Sequence, residues 1–216
     1  NAVVDLAGAD ADQIDTVAAA IAADATRVAS LTNLTLTSAQ DATEIANLLT
    51  KVEEGSVTVD ATDMTQAQLS QVALDIGQVA AINNLSLDSG QTAIEMASLF
   101  GKTAGAVVGV DATDLGQAQF DQVVADIDKV ADITSLSLDL TTGEEVAPST
   151  TAGLTALLAK ATAAAVNVTD ATDTELSAIA LGVDSADTLS SLAMTAAQSA
   201  VEMTALLGAA VGATVD

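Results

Sequence analysis

The sequence predicts an α/β fold, a right-handed solenoid of strand–helix coils with one parallel sheet and the helices on its other face. Three observations predict it. Segments recur at a fixed spacing: Leu34, Leu85 and Leu136 stand 51 residues apart, and Leu192 follows after a longer step. Each recurring segment opens on alternating apolar residues, the mark of a short strand. Each then passes into apolar residues at helical spacing. Neighbouring parallel strands need a crossover, and such a crossover is right-handed.

Two kinds of unit alternate along the chain. The Val type covers 3–29, 57–80, 108–131 and 166–189; the Leu type covers 30–51, 81–102, 132–142 and 188–209. Their strands are marked by Val57 and Val59, Val108 and Val110, Leu34 and Leu36, Leu85 and Leu87. In the second Val-type unit Leu69, Val72, Ala73, Ile76, Val79 and Ala80 fall on one helical face, and in the first Leu-type unit Ile45, Leu48 and Leu49 do so. A helix of about fourteen residues, about 21 Å long, then returns the chain to the next strand. This gives a single repeat domain, 1–216, of four two-part repeats at about 3–55, 56–106, 107–164 and 165–213. The longer third step falls in "TTGEEVAPSTTAG", which holds the only proline and is expected to be a surface insertion loop at about 141–153.

The strings "LTNLTLTSA" (31–39), "INNLSLDSG" (82–90) and "LSSLAM" (189–194) resemble the strand segment of leucine-rich repeats, L-x-x-L-x-L-x-x-N/C. The Asn or Cys position holds Ala39, Gly90, Thr141 and Ala197, so an Asn ladder is missing. The resemblance implies a repeat protein that presents its exposed sheet to a protein partner. The outward strand positions, Thr35, Thr58, Ser86 and Ser137, are small hydroxyl residues without aromatic or Arg anchors. The acidic Ala/Thr/Asp-rich composition is also similar to repeat modules of large secreted bacterial surface proteins, which implies an extracellular or cell-surface location.

Charge narrows the partners. Thirty acidic against five basic residues give a net charge of −25. Nucleic acid is excluded as a partner, because binding needs Lys and Arg to replace counterions. No apolar stretch reaches the ~18 residues of a membrane span, so no membrane insertion is expected. The chain has no Cys and no His, which removes thiol nucleophiles, disulfides and the commonest general base. Carboxylate-only glycosidase chemistry would want aromatic platforms, and the chain has two Phe and no Tyr or Trp. A non-enzymatic role is expected. The first and last segments, Asn1–Asp5 and "GATVD" (212–216), stand at one phase of the repeat. They suggest a slice of a longer array, or a module whose ends neighbouring copies cover, in either case with Val215 pairing as a ninth strand near Leu192.

The candidate site is "VTVDATD" (57–63), repeated as "VGVDATD" (108–114) and, worn, as "VTDATD" (168–173). Two readings stand side by side. In the first, the aspartates are helix caps. Asp63 precedes Gln66 by three, as Asp114 does Gln117, Asp88 does Gln91, Thr172 does Glu175 and Thr195 does Gln198, the spacing of a capping box. In the second, Asp60, Asp63, Asp111 and Asp114 are metal ligands from stacked coils, and calcium is the cofactor. No EF-hand loop accompanies them, and capping covers every instance, including those where Thr replaces Asp.

Lys51, Lys102 and Lys160 are expected at helix C-termini, with Glu44, Glu95 and Glu202 near the starts, each matching the helix dipole. Met96, Met194 and Met203 read as core filler. "NLT" (33–35), "NLS" (84–86) and "NVT" (167–169) match glycan acceptors but fall on predicted strands. Together these features predict a structural or interaction repeat segment of an extracellular or cell-surface protein. Its partners would be neighbouring repeats or further copies of itself. A leucine-rich-repeat-type protein-binding module and a calcium-dependent surface or adhesion module are the alternatives.

Overall fold

The computed structural model describes residues 2–141, 146–184, 187–192 and 197–210. Over these it is a mixed α/β protein with eleven strands and eight α-helices. The chain divides into two compact units, Asn1–Ser86 with Gly90–Val108, and Leu87–Ser89 with Gly109–Asp216.

The first unit opens with β1 (Ala2–Asp5), α1 (Ala11–Ala23), β2 (Val28–Thr32), β3 (Thr35–Leu36) and α2 (Ala42–Leu49). It continues with β4 (Val57–Asp60), α3 (Gln66–Leu74), β5 (Val79–Asn83), the start of β6 (Ser86–Leu87) and α4 (Ala93–Phe100). Alternation does what it predicts: Leu34, Leu36, Val57, Val59 and Leu85 are buried, while Thr35 is exposed and Thr58 half-buried. Against these strands the helices bury Ile14 and Ile21, Ile45 and Leu48, Leu69 and Val72, Met96 and Phe100.

The second unit holds β7 (Val108–Asp111) from Gly109 on, α5 (Gln117–Ala125), β8 (Val130–Thr134), β9 (Leu136–Asp139) and α6 (Thr151–Leu158). β10 (Ala164–Asn167), α7 (Asp173–Gly182), β11 (Thr188–Ser190) and α8 (Ala200–Ala209) follow. Its core includes Leu87, Val110, Phe120, Ile133, Leu138, Leu157, Val166, Ile179 and Leu206. Helices α6 and α7 meet closely. A Cβ on Gly182 would stand 2.7 Å from Leu158 Cβ and 3.1 Å from the Thr155 carbonyl oxygen.

The strands are parallel where their register is defined: β1 with β2, β4 with β3 and β5, β10 with β9 and β11. They do not form one continuous sheet, as the sequence suggests, but four small ones: β1-β2, β3-β4-β5, β6-β7-β8 and β9-β10-β11. The reason is local. Between β2 and β3 the chain turns at Asn33 with φ 56°, and Asn84 (φ 54°), Ser135 (φ 54°) and Ser191 (φ 58°) stand at the equivalent points. A left-handed residue breaks the extended run. One Leu-type segment therefore gives its first half to one sheet and its second half to the next.

Two further expectations are corrected. The helical face drawn through Leu69 to Ala80 is too long. α3 ends at Leu74, Ile76–Gln78 is a 3₁₀ turn, and Val79 and Ala80 are strand residues, Ala80 exposed. Helices run eight to thirteen residues, shorter than the fourteen expected. Of the stretch 141–153, residues 142–145 lie outside the described residues, and α6 takes the end from Thr151. The stretch is not wholly surface: Ala147 and Pro148 are buried, and Asp121 Oδ1 accepts from Ser149 N (2.7 Å) and Oγ (2.8 Å).

Candidate functional site

The repeated acidic string lies where a strand hands over to a helix. Asp60 ends β4. Its Oδ1 accepts from Thr62 N (3.2 Å), Thr62 Oγ1 (2.7 Å) and Asn84 Nδ2 (3.0 Å). Ala61 to Met64 then closes a turn through Met64 N to the Ala61 oxygen (3.1 Å), with Asp63 left-handed at φ 56°. Asp and Asn tolerate that conformation better than other side chains because they bond locally.

The same apparatus recurs. Asp5 Oδ1 accepts from Ala7 N (3.0 Å) and Asn33 Nδ2 (2.8 Å), and Gly8 takes the left-handed place at φ 72°. Asp111 Oδ1 accepts from Thr113 N (3.0 Å) and Oγ1 (2.7 Å), with Asp114 at φ 58°. In the last copy Asn167 plays the part of Asp60. It accepts from Thr169 N (3.1 Å) and Oγ1 (2.7 Å), and Asp170 is left-handed at φ 63°. The structural match to "VDATD" is therefore Val166–Asp170, not the look-alike string at 168–173.

These hydrogen bonds favour the ionised carboxylate. Asp60 is held below the usual aspartate range chiefly by Asn84, then by Thr62. Asp5 is lowered chiefly by Asn33, Asp111 chiefly by the Thr113 hydroxyl, and Asp139 chiefly by the Thr141 hydroxyl.

The capping assignment to Asp63 and Asp114 is corrected. α3 is capped two residues later: Thr65 N donates to Gln68 Oε1 (2.6 Å), and Gln68 N to Thr65 Oγ1 (3.4 Å). At α5 the cap position is Gly116, which keeps only the return bond from its N–H to Gln119 Oε1 (2.7 Å). Asp88 and Gln91 precede the true cap of α4, Thr92 with Glu95. Thr172 with Glu175 is the box expected, and Asp10, Asp41 and Ser199 make boxes with Gln13, Glu44 and Glu202. Thr195 and Met194 lie outside the described residues, as does Val215 with its expected ninth strand.

As metal ligands, Asp60 and Asp63 belong to the first unit and Asp111 and Asp114 to the second. Among the described residues no three Asp or Glu side chains converge as a metal-holding group. Lys51, Lys102 and Lys160 stand just past the C-terminal ends of α2, α4 and α6. Lys51 and Lys160 follow the last helical residue by two and donate to the Ala25 (2.7 Å) and Val130 (2.8 Å) oxygens.

Sequence reasoning missed four buried glutamines, Gln40, Gln68 and Gln91 in the first unit and Gln198 in the second. Gln40 Oε1 accepts from Thr37 N (3.2 Å) and its Nε2 donates to Asp15 Oδ1 (3.3 Å). Gln68 Nε2 donates to the Ser38 (3.0 Å) and Gln40 oxygens. The signal was present: Gln40, Gln91 and Gln198 stand one residue beyond the position inspected for an Asn ladder. In the second unit a cavity of about 420 Å³ opens on the face of β9-β10-β11, lined by Ser137, Asp139, Ala165, Asn167, Thr188 and Ser190 among others.

No protein-family model matches the chain, and no curated protein matches it. Among solved structures it is similar to the leucine-rich repeat-containing protein LegL7 from Legionella pneumophila. That match has 11% identity, covers 94% of this chain and 68% of the other, and has a TM-score of 0.29.

Proposed function

We propose that the chain is a non-enzymatic structural repeat segment of an extracellular or cell-surface protein, wound as a strand–helix solenoid. One observation carries this reading: the whole local apparatus recurs. Strand-end acceptor, left-handed residue and helix cap occur together at Asp5–Asp10, Asp60–Thr65, Asp111–Gly116 and Asn167–Thr172. A catalytic constellation occurs once in a chain, whereas a device that shapes each coil must recur in each.

Neighbouring repeats, or a second copy, are the partners this reading assigns. Among the described residues β4 is flanked by β3 and β5, whereas β1, its counterpart, pairs with β2 alone. Val3 on that strand is 69% exposed. An open parallel edge of this kind takes a further strand.

The test is exposure on intact cells of the source organism. Antibody raised against the chain should label unlysed cells, and added protease should remove the label. Labelling only after lysis would overturn the proposal.

A further inference from the structure

We infer that Asn33 and Asn84 are acceptor sites for an N-linked glycan and that Asn167 is not; this rests on the proposed extracellular reading. All three begin an Asn-x-Ser/Thr triplet. The fold separates them. Asn33 and Asn84 stand at the left-handed turn between two strands, not inside a strand, and are exposed together with Thr35 and Ser86. Leu34 and Leu85 between them point into the core, so the asparagine and hydroxyl face solvent. A turn at this point does not itself demand Asn, since Ser135 and Ser191 make it with φ 54° and 58°.

The chemistry is compatible with the fold. Each amide nitrogen carries two hydrogens, and one is given to Asp5 Oδ1 (2.8 Å) or Asp60 Oδ1 (3.0 Å). The co-reactant is a lipid-pyrophosphate-linked oligosaccharide. Nδ2 forms a bond to the anomeric carbon while that carbon's bond to the pyrophosphate oxygen breaks. The second amide proton passes to a base of the transferase. The remaining N–H still reaches the aspartate, so a bulky, solvated substituent is added without loss of the turn.

Asn167 differs in its exposure, its place in the strand and the engagement of its own triplet hydroxyl. It is half-buried at the end of β10. Its Oδ1 accepts from Thr169 N (3.1 Å) and from Thr169 Oγ1 (2.7 Å), the hydroxyl of its own triplet. Its Nδ2 donates to Thr141 Oγ1 (3.3 Å).

The experiment expresses the full chain behind a cleavable export leader in a glycosylating secretory host. Intact mass is read before and after peptide-N-glycosidase. Two glycan increments are expected, one lost in Asn33→Gln, the other in Asn84→Gln, and none in Asn167→Gln. Thr35→Ala and Ser86→Ala should produce the same two losses with the Asn–Asp hydrogen bonds retained, which covers any folding defect of the Gln variants. A secreted chain bare at Asn33 and Asn84, or an increment removed by Asn167→Gln, overturns the inference. Because the leader supplies export, this result is independent of where the native protein resides. Surface labelling of native cells fails or succeeds separately.

Discussion

At the scale of the residue, the acidic string divides its labour among three positions. Asp60 gathers donors at the strand end, Asp63 supplies the left-handed step, and Thr65 caps the helix. Each part has its own test by urea midpoint. Thr65→Ala should cost about 0.5–2 kcal/mol through loss of the cap. Asp63→Gly should cost nothing, as Gly8 already fills that place in the first copy. Asp63→Val should cost about 1–2 kcal/mol, because a branched side chain resists positive φ. Equal losses for Gly and Val would contradict the left-handed role of Asp63. The carboxylates also set a pH dependence. Asp5, Asp60, Asp111 and Asp139 have folded pKa values lowered by their hydrogen bonds, so the unfolded chain binds protons first. Their contribution is complete above the ordinary aspartate value and is lost as pH falls below it and through the lower folded value. In high salt, Asp60→Asn should flatten this loss in the thermal midpoint, and an unchanged slope would contradict it.

At the scale of the element, strands and core faces were legible because burial alternates with period two: Leu34, Leu36, Val57, Val59, Leu85 and Leu87 are all buried. Helix starts were misplaced by two residues because Asp63–Gln66 and Thr65–Gln68 satisfy the same three-residue spacing. Only the positive φ of Asp63 decides between them, and side-chain pattern does not report it. The break into four sheets was hidden for the same reason at Asn33 and Asn84. The role of Gln68 depends on contacts 28 and 30 residues away, beyond any local window. Gln68→Leu should cost about 1–3 kcal/mol, since it strands the Ser38 and Gln40 carbonyls. Glycines give a paired test. Gly182→Ala pushes a methyl into Leu158 and should cost about 1–3 kcal/mol. Gly208→Ala, with nothing within 4 Å, should stabilise α8 by about 0.5–1 kcal/mol. Similar effects at both positions would refute the close contact of α6 with α7.

At the scale of the whole molecule, charge dominates. Thirty acidic residues face five basic ones, and the described residues hold two ion pairs, Arg27–Asp24 and Lys129–Asp126. Self-repulsion opposes the compact state, and salt screens it. The melting temperature should therefore rise from low salt to about 1 M NaCl, and a fall would show that local ion pairs outweigh the net field. Such a charge also draws cations loosely, so a general salt effect must be separated from a specific one. The central claim is that the repeated aspartates shape turns and need no metal. Its most direct test is the melting temperature in EDTA, in calcium, and in magnesium at matched ionic strength. The turn account predicts one value in all three. A rise in calcium that magnesium does not reproduce, abolished by Asp60→Asn with Asp111→Asn, would contradict it.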